Sequence, residues 1–157
     1  MSIELLNETS TLANAQILPV FTFSGTVKEG ETSSYSVQLR GPGGSVQANT
    51  EFSAITLSLI DEVTRTPVNS RLDQDVLGVG KLGQNDVAFS ATALFTWNLT
   101  SLDSVLADPT QTLLLEWHRA IITFSFDFGS GPEVAVHEIR IPVRRAFSTS
   151  LPTVSQW

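Results

Sequence analysis

Residues 115–144 read LEWHRAIITFSFDFGSGPEVAVHEIRIPVR, and this stretch decides the fold. Apolar and polar residues alternate on both sides of Gly129-Ser130-Gly131-Pro132. Alternation with a period of two is typical of strands that bury one face. Because glycine readily adopts the positive φ angles of tight turns, the central segment predicts a turn. The stretch therefore predicts a β-hairpin of two long strands, apolar on one face and polar on the other.

The hydrophobic pattern also predicts how the two strands pair. Phe128 is placed opposite Glu133 across the turn, and the register follows from there. The expected pairs on the apolar face are Phe126–Ala135, Phe124–His137, Ile122–Ile139 and Ala120–Ile141, with His118 opposite Val143. A slip of one residue would turn the Phe side chains toward water, so the assignment of faces is strongly specified.

Shorter alternating segments recur through the rest of the chain. We expect strands at 17–27, 33–40, 52–63, 87–91 and 93–97, an extended segment at 68–77, and a single helical turn from Thr100 to Leu106. About seven or eight short strands separated by turns are typical of an all-β fold, an antiparallel β-sandwich with an Ig-like Greek key. A closed β-barrel is the alternative.

We expect one β-sandwich domain at residues 17–145, flanked by polar arms at residues 1–16 and 146–157. A length of 157 residues suits one domain. The arms carry isolated apolar residues that could contact neighbouring chains: Ile3, Leu5, Leu6, Phe147, Leu151 and Trp157. Since Trp is enriched at protein interfaces, Trp157 either anchors in a partner or folds back onto its own domain.

Composition excludes several classes of function. The formal net charge is −7 and the pI is about 4.6, which argues against nucleic acid as a partner. The chain has no cysteine, so disulfides and thiolate sites are excluded and a reducing compartment is favoured. Residues 1–16 do not resemble a secretory signal, and no segment is apolar enough to predict membrane insertion.

Only His118 and His137 supply imidazole groups. In the expected register they lie six pairs apart, roughly 20 Å, so they cannot share one metal ion. Both are predicted to be structural histidines. Asp61, Glu62 and Asp127 fall at strand ends and are predicted to be exposed, solubilising charges.

Two further segments are candidates for binding a cation or a phosphate. Asp73 and Asp75 would lie on one side of an extended strand, where a cation with oxygen ligands could bind, or in a loop where Arg71 or another cationic side chain could pair with them. Gly41-Pro42-Gly43-Gly44 could cradle a phosphate only before a helix, and no helix is predicted there. We therefore predict no catalytic residue, no cofactor and no metal site.

Three segments resemble small virion proteins of tailed bacteriophages. They are Asn69-Ser70-Arg71 leading into DQDVL, then ALFTWNLTSLDSVL at 93–106, and the hairpin from EWHRA to IPVR at 116–144. In that group a short Asn/Arg–Asp/Gln–Val–Leu segment precedes a Leu-Thr-Trp strand, and HRA and HE-I-PVR strands follow. Leu72 is an additional residue in the first segment of this chain.

The resemblance implies an Ig-like β-sandwich built into a phage particle, without enzymatic activity. Together with the arms it favours a capsid decoration or cement protein located in the virion and assembled in the host cytoplasm. The expected partners are the major capsid protein and further copies of the chain, as a homo-oligomer, with a trimer favoured. The alternatives are a head–tail connector, neck or tail-associated protein, and an Ig-like module that binds carbohydrate or a cell surface.

Overall fold

The computed structural model describes the backbone of residues 4–11, 16–22, 26–107 and 114–146, and the side chains within the last two ranges. This part of the chain forms ten β-strands: β1 (Glu4–Thr11), β2 (Gln16–Thr22), β3 (Val27–Lys28), β4 (Ser33–Arg40), β5 (Phe52–Asp61), β6 (Gln74–Asp75), β7 (Val87–Phe89), β8 (Leu94–Leu99), β9 (Leu115–Phe126) and β10 (Glu133–Arg144). Short 3-10 turns cover Pro42–Gly44, Asn49–Glu51 and Val79–Lys81. No helix among these residues has the length and apolar character needed to cross a membrane.

The strands divide between two sheets. One has the order β1-β4-β8-β7, and the other has the order β2-β10-β9-β5-β6, with β3 also paired to β10. In an immunoglobulin fold, β4, β8 and β7 would be strands B, E and D, and β10, β9, β5 and β6 would be strands G, F, C and C′. The predicted β-sandwich with an Ig-like Greek key is therefore confirmed, and the described strands do not close into a barrel.

The N-terminal strands extend both sheets. β1 runs parallel to β4, whereas β2 and β3 run parallel to β10. The strand predicted at 17–27 thus corresponds to β2 and β3, while 23–25 lie outside the described residues. β1 falls within the predicted N-terminal arm and covers the edge of β4 that would otherwise present unpaired backbone groups.

The central hairpin forms as β9 and β10, but the predicted register is wrong by two residues. Phe124 lies opposite Ala135, and Ile122 lies opposite His137. The cause is the turn, because Asp127 Oδ1 accepts the N–H groups of Gly129 at 2.8 Å and Gly131 at 3.2 Å. These bonds extend the loop to 127–132. An even shift keeps every side chain on its predicted face, so the hydrophobic pattern could not reveal the error.

Aromatic rings join the two sheets across the core. Phe95 on β8 meets Phe124 on β9 edge to face, with ring centroids 5.6 Å apart. Phe52 on β5 meets Phe89 on β7 in the same way, with centroids 5.0 Å apart. Edge-to-face contacts suit the charge distribution of aromatic rings. Along β9 every second residue is buried, which confirms the predicted alternation.

Two connecting segments differ from their predictions. Within 68–77 only Gln74–Asp75 is a strand, because Asn69, Ser70 and Asp73 have positive φ angles that interrupt an extended path. The expected helical turn after Thr100 is instead a turn that does not continue as a helix. Its first N–H donates to Asp103 Oδ2 at 2.8 Å, so an aspartate closes the turn.

We expect Gly83→Ala to lower the free energy of unfolding by about 2 kcal/mol. Gly83 has a φ of +94°, and a Cβ there would lie 2.4 Å from the Val87 carbonyl oxygen. Gly30→Ala is the matched control, since Gly30 has a φ of +77° but no atom within 4 Å of an added Cβ. The control should cost about 1 kcal/mol. If urea denaturation gave the same loss of unfolding free energy for both variants, the close contact at Gly83 would not be the cause.

Candidate functional site

The predicted interface residues fall largely outside the part of the chain whose side chains are described. Ile3, Phe147, Leu151 and Trp157 lie outside the described residues. Leu5 and Leu6 belong to β1, of which only the backbone is described. Their role in an interface stays a prediction.

Arg71 is the centre of a buried hydrogen-bond network. Its side chain is 2% exposed, and it donates to Asp103 from Nε to Oδ1 at 2.5 Å and from Nη2 to Oδ2 at 2.9 Å. Nη2 also donates to Asp86 Oδ2 at 2.8 Å. Nη1 donates to Gln74 Oε1 at 2.6 Å and to the Asn85 carbonyl at 3.1 Å. All five N–H donors of the guanidinium therefore have acceptors.

The electrostatics of this network favour a permanently charged Arg71. Burial acts to lower the pKa of Arg71, but the hydrogen bonds and negative charges of Asp103 and Asp86 outweigh it and raise that pKa. Asp103 is itself buried, and Asn69 Nδ2 donates to its Oδ1 at 2.9 Å. A guanidinium with every donor engaged offers no proton and no free donor to a ligand. The network is therefore suited to holding loops together.

The Arg71 network joins two of the segments that resemble phage virion proteins. Asn69 and Arg71 come from the first segment, and Asp103 comes from the second. Trp97, also in the second segment, lies beneath the guanidinium, with Arg71 Cζ 5.8 Å from the ring centroid. Arg71, Asp103 and Trp97 are buried inside the sandwich.

Asp73 and Asp75 do not form the predicted pair of carboxylates. Asp73 lies outside β6 with a φ of 47°, and its Oδ1 accepts the Ser58 hydroxyl at 3.2 Å. Asp75 Oδ1 accepts the Leu77 N–H at 3.0 Å. Arg71 pairs with Asp86 and Asp103 rather than with these residues, so the alternative that Arg71 pairs with Asp73 and Asp75 is also wrong.

His137 connects the two sheets inside the core. Its Nε2 lies 2.5 Å from Tyr35 Oη, and both side chains are fully buried. Tyr35 is on β4 and His137 is on β10, so this hydrogen bond crosses from one sheet to the other. Burial lowers the pKa of His137 to about 4, and the imidazole is therefore neutral at physiological pH.

A second buried cluster lies where β5 ends beside β9. Asp61 and His118 are cross-strand partners, and one ligand atom from each of Asp61, Glu116 and His118 lies within 4.8 Å of the other two. His118 Nε2 donates to Glu116 Oε1 at 2.6 Å. Asp61 Oδ2 accepts the N–H of Thr64 at 2.6 Å and its hydroxyl at 2.7 Å. The prediction that Asp61 is an exposed charge is wrong, because the following turn holds its carboxylate inward at 1% exposure.

A charged network covers the outer face of the hairpin near this cluster. Arg119 and Arg140 lie directly opposite each other on the two strands, which is an unfavourable pairing of like charges. Glu62 offsets it, because its carboxylate accepts hydrogen bonds from both arginines. The hydrogen bond from Arg140 lowers the pKa of Glu62 against the opposing effect of partial burial, and Arg119 adds to the lowering. A cleft of about 350 Å³ opens here, bordered by Asp61 and Arg65 among others.

The sequence held only a weak signal for the Asp61–Glu116–His118 cluster. Glu116 and His118 are two residues apart in the sequence, and this spacing places them on one face of a strand. The contribution of Asp61 depends on the pairing of β5 with β9, which no local pattern specifies. Comparison with known protein families and with curated proteins gave no match to this chain.

Proposed function

We propose that this chain is a non-catalytic structural subunit of a tailed-phage virion. In this proposal it decorates or cements the capsid shell through contacts with the major capsid protein and with its own copies. The observation that carries the proposal is that the segments resembling phage virion proteins have a structural role in the fold. Arg71, Trp97 and Asp103 stabilise the sandwich, as expected for a shared architecture without shared chemistry.

An exposed apolar groove supports a role in adhesion. Leu102 is 58% exposed and Val105 is 42% exposed, and both line a groove of about 280 Å³ beside Pro67. Contiguous exposed apolar surface marks protein interaction sites more often than isolated exposed side chains do. A virion subunit has neighbours that could cover such a groove.

Two observations favour this proposal over the alternatives. Among the described residues, the large exposed apolar side chains are Val and Leu, whereas a carbohydrate-binding module would be expected to group exposed aromatic rings at one end. The Arg71 network has no free donor, and the Asp61–Glu116–His118 cluster is almost wholly enclosed, so neither offers an open catalytic cleft. A neck or tail position remains the alternative within the particle.

The test is to locate the protein in purified particles of the phage that encodes it. We expect the chain to co-purify with virions and a particle reconstruction to place it on the shell at a copy number set by the capsid lattice. A single ring of this protein at the neck would show instead that it is a head–tail connector or neck protein. Absence from purified virions would overturn the proposal.

A truncation then tests the predicted C-terminal arm. Removal of residues 147–157 should reduce occupancy of particles while the sandwich still folds, as measured by circular dichroism. Val79→Ala is the control, because Val79 is 98% exposed on a loop outside both arms and should leave occupancy unchanged. Full occupancy by the truncated protein would contradict a role for this arm in assembly.

A further inference from the structure

We propose that Asp61, Glu116 and His118 form a binding site for a divalent transition-metal ion, with Asp61 Oδ1 and His118 Nδ1 as its protein ligands. Both atoms are buried and make no hydrogen bond within the described residues. Asp61 is 1% exposed and His118 is fully buried. Since buried polar atoms in proteins nearly always have partners, two such atoms on cross-strand neighbours indicate an absent ligand.

The hydrogen bonds around these atoms prepare them for a metal ion. A carboxylate can only accept, so His118 Nε2 carries the hydrogen that is donated to Glu116, and the tautomer with this hydrogen has its lone pair on Nδ1. A carboxylate on the far nitrogen is the usual means of orienting a metal-bound imidazole. Thr64 similarly fixes Asp61 through Oδ2, which leaves Oδ1 for a ligand. Glu116 is thus a positioning residue for the site.

The donor set selects the class of metal. One imidazole nitrogen and one carboxylate oxygen suit Zn²⁺ and related ions, whereas Ca²⁺ and Mg²⁺ prefer oxygen ligands throughout. Water would complete the coordination. Of the three residues, Asp61 alone borders the cleft of about 350 Å³ on the outer face of the hairpin.

The experiment is a titration of tag-free protein with Zn²⁺ at neutral pH, followed by calorimetry and by thermal unfolding. We expect saturable binding of one ion per chain, and a rise in Tm of roughly 5–10 °C at a Zn²⁺ concentration 100-fold above Kd. Ca²⁺ under the same conditions should neither bind measurably nor shift Tm. Failure of Zn²⁺ to bind in a saturable manner, or equal affinity for Ca²⁺, would overturn the proposal.

Substitutions test whether Zn²⁺ binds at this cluster. His118→Gln and Asp61→Asn should abolish saturable Zn²⁺ binding, and Glu116→Gln should weaken it by about 10- to 100-fold. His137→Gln is the matched control, because it removes the other buried histidine and should leave Zn²⁺ affinity unchanged. If His118→Gln does not fold, the near-isosteric Asp61→Asn decides the matter. Wild-type affinity in a folded Asp61→Asn protein would overturn the proposal.

Discussion

Replacing Arg71 with alanine should lower the free energy of unfolding by about 3–5 kcal/mol, because it leaves buried carboxylate charge without its cation. Asp103 is 1% exposed and loses two hydrogen bonds from the guanidinium. Asp86 loses one, but it is partly solvated and can turn to water. Urea denaturation at pH 7 measures the loss. The loops that Arg71 joins, around Gln74 and Asn85, should become exposed to hydrogen exchange first.

Arg119→Ala is the matched control for the buried arginine. Arg119 also pairs with two carboxylates, those of Glu62 and Glu138, but its side chain is 38% exposed. Its removal should cost less than about 1 kcal/mol, and added salt should reduce that cost further. The loss at Arg71 should persist in high salt, because buried charges are poorly screened. Similar losses of unfolding free energy for Arg71→Ala and Arg119→Ala would contradict the central role of Arg71.

The prediction of the fold succeeded where periodicity alone decides the structure. The alternation in β9 and β10 assigned every side chain of the hairpin to its correct face, since a pleated strand permits only two faces. The register was wrong because Asp127 captures two glycine N–H groups and lengthens the loop. Turn chemistry of this kind involves one side chain and leaves no trace in the hydrophobic pattern.

The buried clusters could not be predicted for a different reason. Arg71 meets Asp86 and Asp103 across 15 and 32 residues of sequence, through loops whose paths depend on positive φ angles. Asp61 was interpreted as a surface charge because strand ends usually reach solvent. Its burial depends on the turn that follows and on the pairing of β5 with β9. Such contacts are properties of the tertiary fold.

Acidification should destabilise the protein through His137, by up to about 3 kcal/mol between pH 6.5 and pH 4. Burial lowers the pKa of His137 from 6.5 in the unfolded chain to about 4 in the fold. Between these values the unfolded state binds the additional proton, so stability is fully present above pH 6.5 and is lost as pH falls toward 4. Below pH 4 both states are protonated, and His137 contributes no further change. Urea denaturation at a series of pH values measures the slope.

Two variants separate the ionisation of His137 from its hydrogen bond. His137→Gln keeps a polar group near Tyr35 but cannot ionise, so its stability should change less with pH than that of the wild type between pH 6.5 and 5. Tyr35→Phe removes the hydroxyl that lies 2.5 Å from Nε2 and should cost about 1 kcal/mol at neutral pH. It should nevertheless retain most of the pH dependence, because burial is the cause of the lowered pKa. Parallel pH profiles for the wild type and His137→Gln would contradict a lowered pKa of His137 in the folded protein.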